Sequence, residues 1–290
     1  MNLTRRRFLT IAAVCAAAPA AARTHRWQGR AFGGDISLAI TGPRTKSEAA
    51  IAAARELIAE TEQLFSLYDP SSDLSRLNRT GTLAMHPQFQ ALVSVADVAY
   101  RLTRGLFDPS VQPLWQAIAD GRAPADTANA IGWHKVRVDK NRITLAPGQA
   151  LTFNGIAQGF ATDRVANWLS EHGFDNTLVN IGEHRATGGH WTLGLEDPQH
   201  GHLGTRTLQR GAIATSSPLA TPVGRDGHIL HPQARPRWST VSVEADTATL
   251  ADSLSTGLVL ADLPQIRRIR HVTGVSRITL VGPAGDIRSL

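Results

Sequence analysis

Cysteine is almost absent from this 290-residue chain. The single one, Cys15, stands near the start, so residues 23–290 offer no thiol. That excludes disulfide cross-links, zinc–thiolate centres and a cysteine nucleophile from the body of the protein. Long hydrophobic runs are missing too: the apolar stretch Ile11 to Ala18 is too short to span a bilayer. Tandem repeats, low-complexity linkers and long blocks of one charge are also lacking. The formal charge is +6, but Arg5, Arg6 and Arg7 lie in a leading stretch with no acid, so the rest carries 6 − 3 = +3. No Lys/Arg run follows, which argues against a nucleic-acid partner. What is present is globular. Apolar content of 42% and charged content of 19% fall in the folded range. The length allows one large domain or two modest ones.

The leading stretch has its own pattern. Thr4-Arg5-Arg6-Arg7-Phe8-Leu9-Thr10 precedes the short apolar run and then Pro19-Ala20-Ala21-Ala22. This resembles a twin-arginine export signal with a cleavage point after Ala22. It implies a signal peptide over residues 1–22, a mature domain over 23–290 and a periplasmic location. An amphipathic anchor is the alternative, but polar positions at helical spacing are missing. Acylation of Cys15 as a lipoprotein is a minority reading, because Ala12-Ala13-Val14 departs from the usual pattern.

Strand and helix patterns alternate through the rest. Trp27 to Ile40 reads as a strand interrupted by Gly33-Gly34. Thr45-x-x-Glu48 has the form of a capping box opening a long helix, with Ile51, Ala54, Leu57, Ile58, Leu64 and Phe65 at helical spacing. Pro70 and the Ser/Asp cluster up to Asn78 mark a loop. A second helix follows Pro87 and stops at Gly105, and residues 106–115 read as an irregular loop. Val136–Asp139 and Arg142–Leu145 read as a hairpin. Ala161 to Gly173 and Thr249 to Leu260 have helical patterns. Strands are expected at Thr177–Ile181, Trp191–Leu195, Thr205–Ala214 and Trp238–Glu244, with a closing hairpin of Ser276–Val281 and Ile287–Leu290. The fold class that fits is α+β, a mixed α/β single unit with two intertwined lobes.

Two stretches carry the chemistry. In Asn154-Gly155-Ile156-Ala157-Gln158-Gly159-Phe160-Ala161-Thr162-Asp163 a strand enters a helix through two glycines, exposing backbone groups to a ligand. Tight strand-to-helix packing alone would use the same glycines. In Ala251-Asp252-Ser253-Leu254-Ser255-Thr256 a carboxylate and a hydroxyl lie one helical turn apart. That pair suits a hard cation such as magnesium, with the Gly155 carbonyl able to complete the set. By itself, a helical acid with a surface threonine is the blander explanation. His228 lies between Gly227 and Pro232, which makes a positioned imidazole plausible. His184, His190, His200 and His202 match no helical ligand spacing and read as loop residues. Tyr68, Phe107 and Trp115 read as loop aromatics able to stack on a flat heterocycle, with packing under the loop an equal alternative.

With these segments in view, the chain resembles the ApbE family of FAD-dependent protein FMN transferases, from about Phe32 to the end. Ser66 to Asn78, Gly105 to Leu114 with its Phe107-Asp108-Pro109, and Asn154 to Asp163 resemble three of the family's motifs. Leu178 to Gly182, Ala212 to Ser216, His228 to Pro232 and Ala251 to Thr256 follow in family order. The resemblance implies an ApbE-like, T-fold-like unit with FAD between its lobes. It implies magnesium-dependent transfer of FMN from FAD to a threonine or serine hydroxyl of a periplasmic or membrane-associated redox protein, releasing AMP. By position, Phe32, Tyr68, Leu106, Phe107, Asp108, Thr152, Gln158 and Leu230 would contact FAD. The Gly155 carbonyl, Asp252 and Thr256 would hold magnesium, and His228 would assist deprotonation of the acceptor.

The chain also departs from the family pattern. Phe32-Gly33-Gly34 stands where Met-Gly-Thr is frequent, Gln158 where lysine is, and Thr152 where aspartate is. Glu183 replaces the second glycine of a Gly-Gly pair, His231 replaces an aspartate, and Ala234-Arg235 replaces Thr-Gly. Two other functions are compatible with these residues: a non-catalytic FAD carrier or decayed paralogue, and an FAD pyrophosphatase with water as acceptor, giving FMN and AMP.

Overall fold

A computed structural model describes residues 23–221, 223 and 227–290. The expected leader, residues 1–22 with Cys15, lies outside the described residues. The chain opens with β1 (Thr24–Ala31) and β2 (Gly34–Thr41), paired antiparallel across the turn Phe32-Gly33. Its φ values are +50° and +73°, so both central residues are left-handed, the turn whose twist matches its flanking strands. Glycine adopts this freely and phenylalanine does so at a cost. The interruption expected in the first strand is therefore a hairpin.

A helical lobe follows, built from α1 (Arg44–Phe65), α2 (Asp73–Thr80), β3 (Thr82–Ala84), α3 (Pro87–Leu102), α4 (Gln112–Ala119), β4 (Arg137–Asp139) and β5 (Arg142–Thr144). Its small sheet runs β3-β5-β4. Then come α5 (Ala157–Glu171), β6 (Thr177–Asn180), β7 (His184–Asp197), β8 (Gly201–Ser216) and β9 (Thr240–Ala245). The chain closes with α6 (Ala248–Leu258), α7 (Leu263–Ile269), β10 (Val275–Val281) and β11 (Ile287–Ser289). The main sheet has the order β1-β2-β6-β7-β8-β9-β10-β11, antiparallel throughout. This is the α+β class expected. Among the described residues, no helix is long and apolar enough to cross a membrane.

Apolar clusters between these elements hold the unit together. Helices α1 and α5 cover the β2–β6 end through Ile40, Ala54, Ile58, Val165, Leu169 and Val179. Helix α6 covers β9 and β10 through Val241, Val243, Leu254, Leu258 and Leu280. In the helical lobe Phe65 meets Phe153 and Phe160 edge-on, at ring-centre distances of 5.7 and 5.8 Å. Phe65 ends α1 and Phe160 belongs to α5, so helices that cover the main sheet also fill the second core. The lobes are intertwined for that reason.

Several local expectations differ from the structure. The Ser/Asp cluster expected as loop contains α2, because Ser72 Oγ accepts the Ser75 N–H and so caps a helix whose Leu74 and Leu77 are fully buried. Gly81, with φ +75°, ends it. The end of the expected irregular loop, up to Trp115, lies in α4, and Pro113 stands in its first turn, where no N–H is needed. The capping box at Thr45 is absent: the long helix begins at Arg44 after Pro43 with no side-chain cap, and Glu48 pairs with Arg44 at 2.8 Å. His184, His190 and His202, expected in loops, lie in β7 and β8, and only His200 occupies the turn between them.

The α5–α6 contact positions everything that follows. Asp163 of α5 accepts the N–H groups of Ala248 and Thr249, both at 2.8 Å, and so caps the positive end of α6. Arg185 neutralises it at 2.6 Å. Beside this cap Gly159 lies so close that an added Cβ would sit 2.4 Å from the Ala248 carbonyl oxygen. We therefore expect Gly159→Ala to force the two helices apart and to destabilise the protein by about 1–3 kcal/mol in urea unfolding. An unchanged midpoint would show that the contact is soft.

Candidate active site

The α5–α6 contact forms one wall of a cavity of about 480 Å³. Asp252 and Thr256, one turn apart on α6, both line it, as do Gly155 and Gln158 at the start of α5. Gly155 packs directly on Thr256: a Cβ there would come within 2.8 Å of Oγ1. Gly159 is the third residue of α5, where an N–H has no partner within the helix, and it donates to Asp252 Oδ2 at 3.0 Å. That bond fixes the carboxylate, while Gly155 precedes the N-cap Ile156 and its carbonyl lies outside the helical ladder. Thr256 Oγ1 is 3.2 Å from Ser216 Oγ, which is 2.8 Å from Ser255 Oγ, so hydroxyls complete this wall.

Opposite lies the loop with His228. Its Nδ1 is 2.9 Å from the Pro218 carbonyl, which can only accept, so Nδ1 carries a hydrogen; in the neutral ring that is the tautomer with its lone pair at Nε2. Gly227 fits close under Pro218, where a Cβ would meet the carbonyl oxygen at 2.0 Å, and its φ of +77° also favours glycine. Leu230 lines the cavity two residues on. The segment leading into α5 is tied down by Asn78, whose side chain takes the N–H of Leu151 at 2.7 Å and donates to its carbonyl at 2.8 Å. Thr152 joins it to the neighbouring loop, donating its N–H to Pro109 at 2.8 Å.

Ten of the twelve expected site residues thus meet at one cavity: Leu106, Phe107, Asp108, Thr152, Gly155, Gln158, His228, Leu230, Asp252 and Thr256. Two of these have structural duties as well. Phe107 is buried in the helical lobe's core. The Asp108 carboxylate accepts from the Ser110 N–H and hydroxyl and from the Trp133 N–H, at 2.8, 2.6 and 3.3 Å. The expected FAD contacts Phe32 and Tyr68 are not brought to this wall. Phe32 sits in the β1–β2 turn, its N–H held by Glu62 at 2.7 Å, because the hairpin ends beyond the cavity. Tyr68, 77% exposed, lines an adjoining groove that shares Trp115 and Asn154 with the cavity.

Among the cavity residues not expected at the site is a buried acid, Glu183. Glu183 opens the long β6–β7 hairpin and is 7% exposed, with Oε2 accepting the Thr215 N–H at 3.1 Å. Burial and the nearby Asp252 carboxylate hold its carboxyl well above the usual range. Burial pushes Asp252 up to about 7, the Gly159 N–H opposing and Asp163 adding to the shift. The only signal was its place as a departure within the Gly182 turn.

The residues present fit a hard divalent cation. The donors are all oxygen: Asp252, the Thr256 hydroxyl, Glu183 and the Gly155 carbonyl. Among the described residues, no group of three or more His, Cys, Asp and Glu side chains could hold a metal ion. Magnesium takes one or two carboxylates and leaves positions for water and phosphates, so this oxygen set could serve it.

The ApbE family model matches residues 32–276. This chain belongs to the ApbE family. It is 29% identical to an FAD:protein FMN transferase of Vibrio cholerae over 239 residues, 70% of this chain and 71% of the relative. A transferase of the same name from Klebsiella pneumoniae is 26% identical over 202 residues, 62% of this chain and 64% of the relative. In three dimensions the chain overlays the flavin transferase ApbE of Vibrio cholerae with a TM-score of 0.80 at 22% identity, covering 93% of this chain and 97% of the other. The ApbE protein of Thermotoga maritima gives 0.81 at 23%, with coverages of 92% and 96%. These likenesses establish the ApbE fold.

Within that fold one departure is conservative in its effect. His231 stands where the family pattern has aspartate, and its Nδ1 accepts the N–H groups of Gln233 and Ala234 at 3.1 and 3.0 Å. Those are the bonds an aspartate makes in a turn. Gln158, in place of lysine, lies over Gly182, where an added Cβ would come 2.6 Å from the amide. The lost cation leaves Asp252 and Glu183 without a basic partner among the described residues.

The raised Asp252 has a consequence for metal-free stability. Its folded value of about 7 exceeds the ordinary 3.8, so its contribution to stability is fully present below about pH 4 and is lost as pH rises through 7. Asp252→Asn should therefore be more stable than the parent at pH 8, by at most about 4 kcal/mol, and lose the advantage at pH 4. Urea unfolding in chelator at both pH values measures this. A pH-independent difference would contradict it.

Proposed function

We propose that this chain is a magnesium-dependent FAD:protein FMN transferase, moving FMN from FAD to a threonine or serine hydroxyl of a partner redox protein and releasing AMP. One observation carries the reading: the oxygen donors Gly155, Asp252 and Thr256 share a cavity with the His228 imidazole, whose Nδ1 is held by the Pro218 carbonyl. Family membership and the names of the relatives support flavin transfer.

In the proposed reaction the acceptor oxygen bonds to the FMN phosphorus as the P–O bond to AMP breaks. A bound magnesium ion would neutralise charge on the diphosphate. Gly155, Asp252 and Thr256 are the residues that would hold it. His228 takes the hydroxyl proton at Nε2, and the Pro218 carbonyl keeps the ring in the tautomer able to do so. The wall residues Leu106, Phe107 and Leu230 exclude water from one side, while Thr152 and Gln158 offer polar groups to the dinucleotide. Tyr68 and Trp115 flank the adjoining groove, which suits part of the flavin or the incoming acceptor segment. The twin-arginine pattern supports export to the periplasm.

Incubation with FAD, Mg²⁺ and a peptide bearing an acceptor threonine should add the mass of one FMN. Free FMN plus AMP would instead support the pyrophosphatase, and unchanged FAD the carrier. Asp252→Ala should abolish transfer while the fold persists in circular dichroism; retained magnesium-dependent turnover would remove Asp252 from the site. His228→Ala should lower kcat by about 10²–10⁴ without loss of FAD binding. A full rate in that variant would exclude it as the base.

A further inference from the structure

Glu183 is more than nine-tenths buried, yet its Oε1 accepts no hydrogen bond among the described residues, and it faces the cavity that Asp252 faces. Asp252 is in the same position: Oδ2 takes the Gly159 N–H and Oδ1 takes nothing. The cations nearest in sequence and space are spent elsewhere. Arg185 is bound to Asp163 at 2.6 Å, and Gln158, which overlies the Gly182 turn, is a neutral amide. Two carboxylates have been taken out of water side by side with free oxygens aimed at one space. Such an arrangement is costly without a compensating positive charge.

The α5–α6 corner explains only one of them. Asp163, the third acid nearby, is fully used in capping α6 and pairing with Arg185. Glu183 has no such structural task beyond the Thr215 N–H, which a glutamine would satisfy equally well. It is also held firmly. Its backbone carbonyl accepts the Ile181 N–H at 3.1 Å and the Thr162 hydroxyl at 3.2 Å, the second a bond from α5 itself. The backbone of Glu183 is therefore fixed to the same helix that follows Gly155.

We propose that Glu183 is a second carboxylate ligand of the cation site, so that this protein takes up its divalent cation before the flavin dinucleotide arrives. The inference rests on the magnesium reading given above. With two carboxylates, a hydroxyl and a carbonyl, the protein supplies enough negative charge to hold Mg²⁺ or Mn²⁺ without help from phosphate oxygens, since charge count sets the affinity of oxygen sites. The dinucleotide then meets a loaded cation, and its phosphates displace water, not protein ligands.

The test is titration of the flavin-free protein with Mn²⁺ alone, following the free-ion signal by electron paramagnetic resonance, with the melting temperature read in parallel. The parent should bind one Mn²⁺ per chain. Glu183→Gln should bind about tenfold more weakly, melt no lower than the parent in chelator, and show a smaller rise in melting temperature on adding Mn²⁺. Glu183→Asp, which keeps the charge, should fall nearer the parent, and provides the comparison should the glutamine variant fail to fold. Asp252→Asn should abolish binding. A parent that binds Mn²⁺ only once FAD is added overturns the proposal. So does Glu183→Gln, or in its place Glu183→Asp, binding as tightly as the parent, and loss in Asp252→Asn alone would then leave the magnesium reading standing. If neither position affects Mn²⁺ binding, both fall.

Discussion

The geometry of this protein depends on one carboxylate that never reaches its cavity. Asp163, midway along α5, closes the N-terminus of α6 with two backbone N–H bonds, and Arg185 of β7 balances its charge. Helix dipole, cap and ion pair act together at a buried point, where each is worth more than at the surface. The clamp sets both the distance and the rotation between two helices. Gly155, Asp252 and Thr256 can face one space only because that relation is fixed. The missing side chains of Gly155 and Gly159 let the helices approach closely enough for the Gly159 N–H to reach across to Asp252.

The same contact joins the lobes. α5 lends Phe160 to the aromatic core of the helical lobe and Val165 and Leu169 to the layer against the main sheet, so neither core is complete without it. The cavity opens where these layers part. One side is a stiff hairpin turn at Gly182-Glu183 and a helix end; the other is the loop carrying His228. Rigid elements thus supply the acidic corner, and a loop held by the Pro218 carbonyl supplies the base. The acids sit on a helix and in a short hairpin turn, where packing limits their movement.

Much of this was legible in the chain itself. The helical spacing in α1 and α3 follows from burying one face of each, whereas β4 and β11 are exposed throughout and show their alternation in sequence alone. Local chemistry was less legible where one residue type has two uses. Ser72-Asp73 reads as a turn and acts as a helix cap, because only the burial of Leu74 and Leu77 decides between them. Pro113 belongs to a stretch that reads as an irregular loop and serves as a first-turn proline. His184 carries no strand signal of its own and is a strand residue because Ile213 of β8 pairs with it.

The sequence by itself determined the absence of thiol chemistry, the α+β class, the ApbE relationship and most of the cavity's residues, since these rest on composition, on short periodicities and on motifs whose members are close in the chain. Tertiary structure alone decided which residues share a space. It joined Gly155 to Thr256, set Phe32 and Tyr68 away from the wall, assigned Asp108 to a loop and Asp163 to a clamp, and brought Glu183 beside Asp252 across an interval of 69 residues. The reason is physical. A carboxylate's role is set by which donors and charges surround it after burial, and those come from elements far apart in the chain.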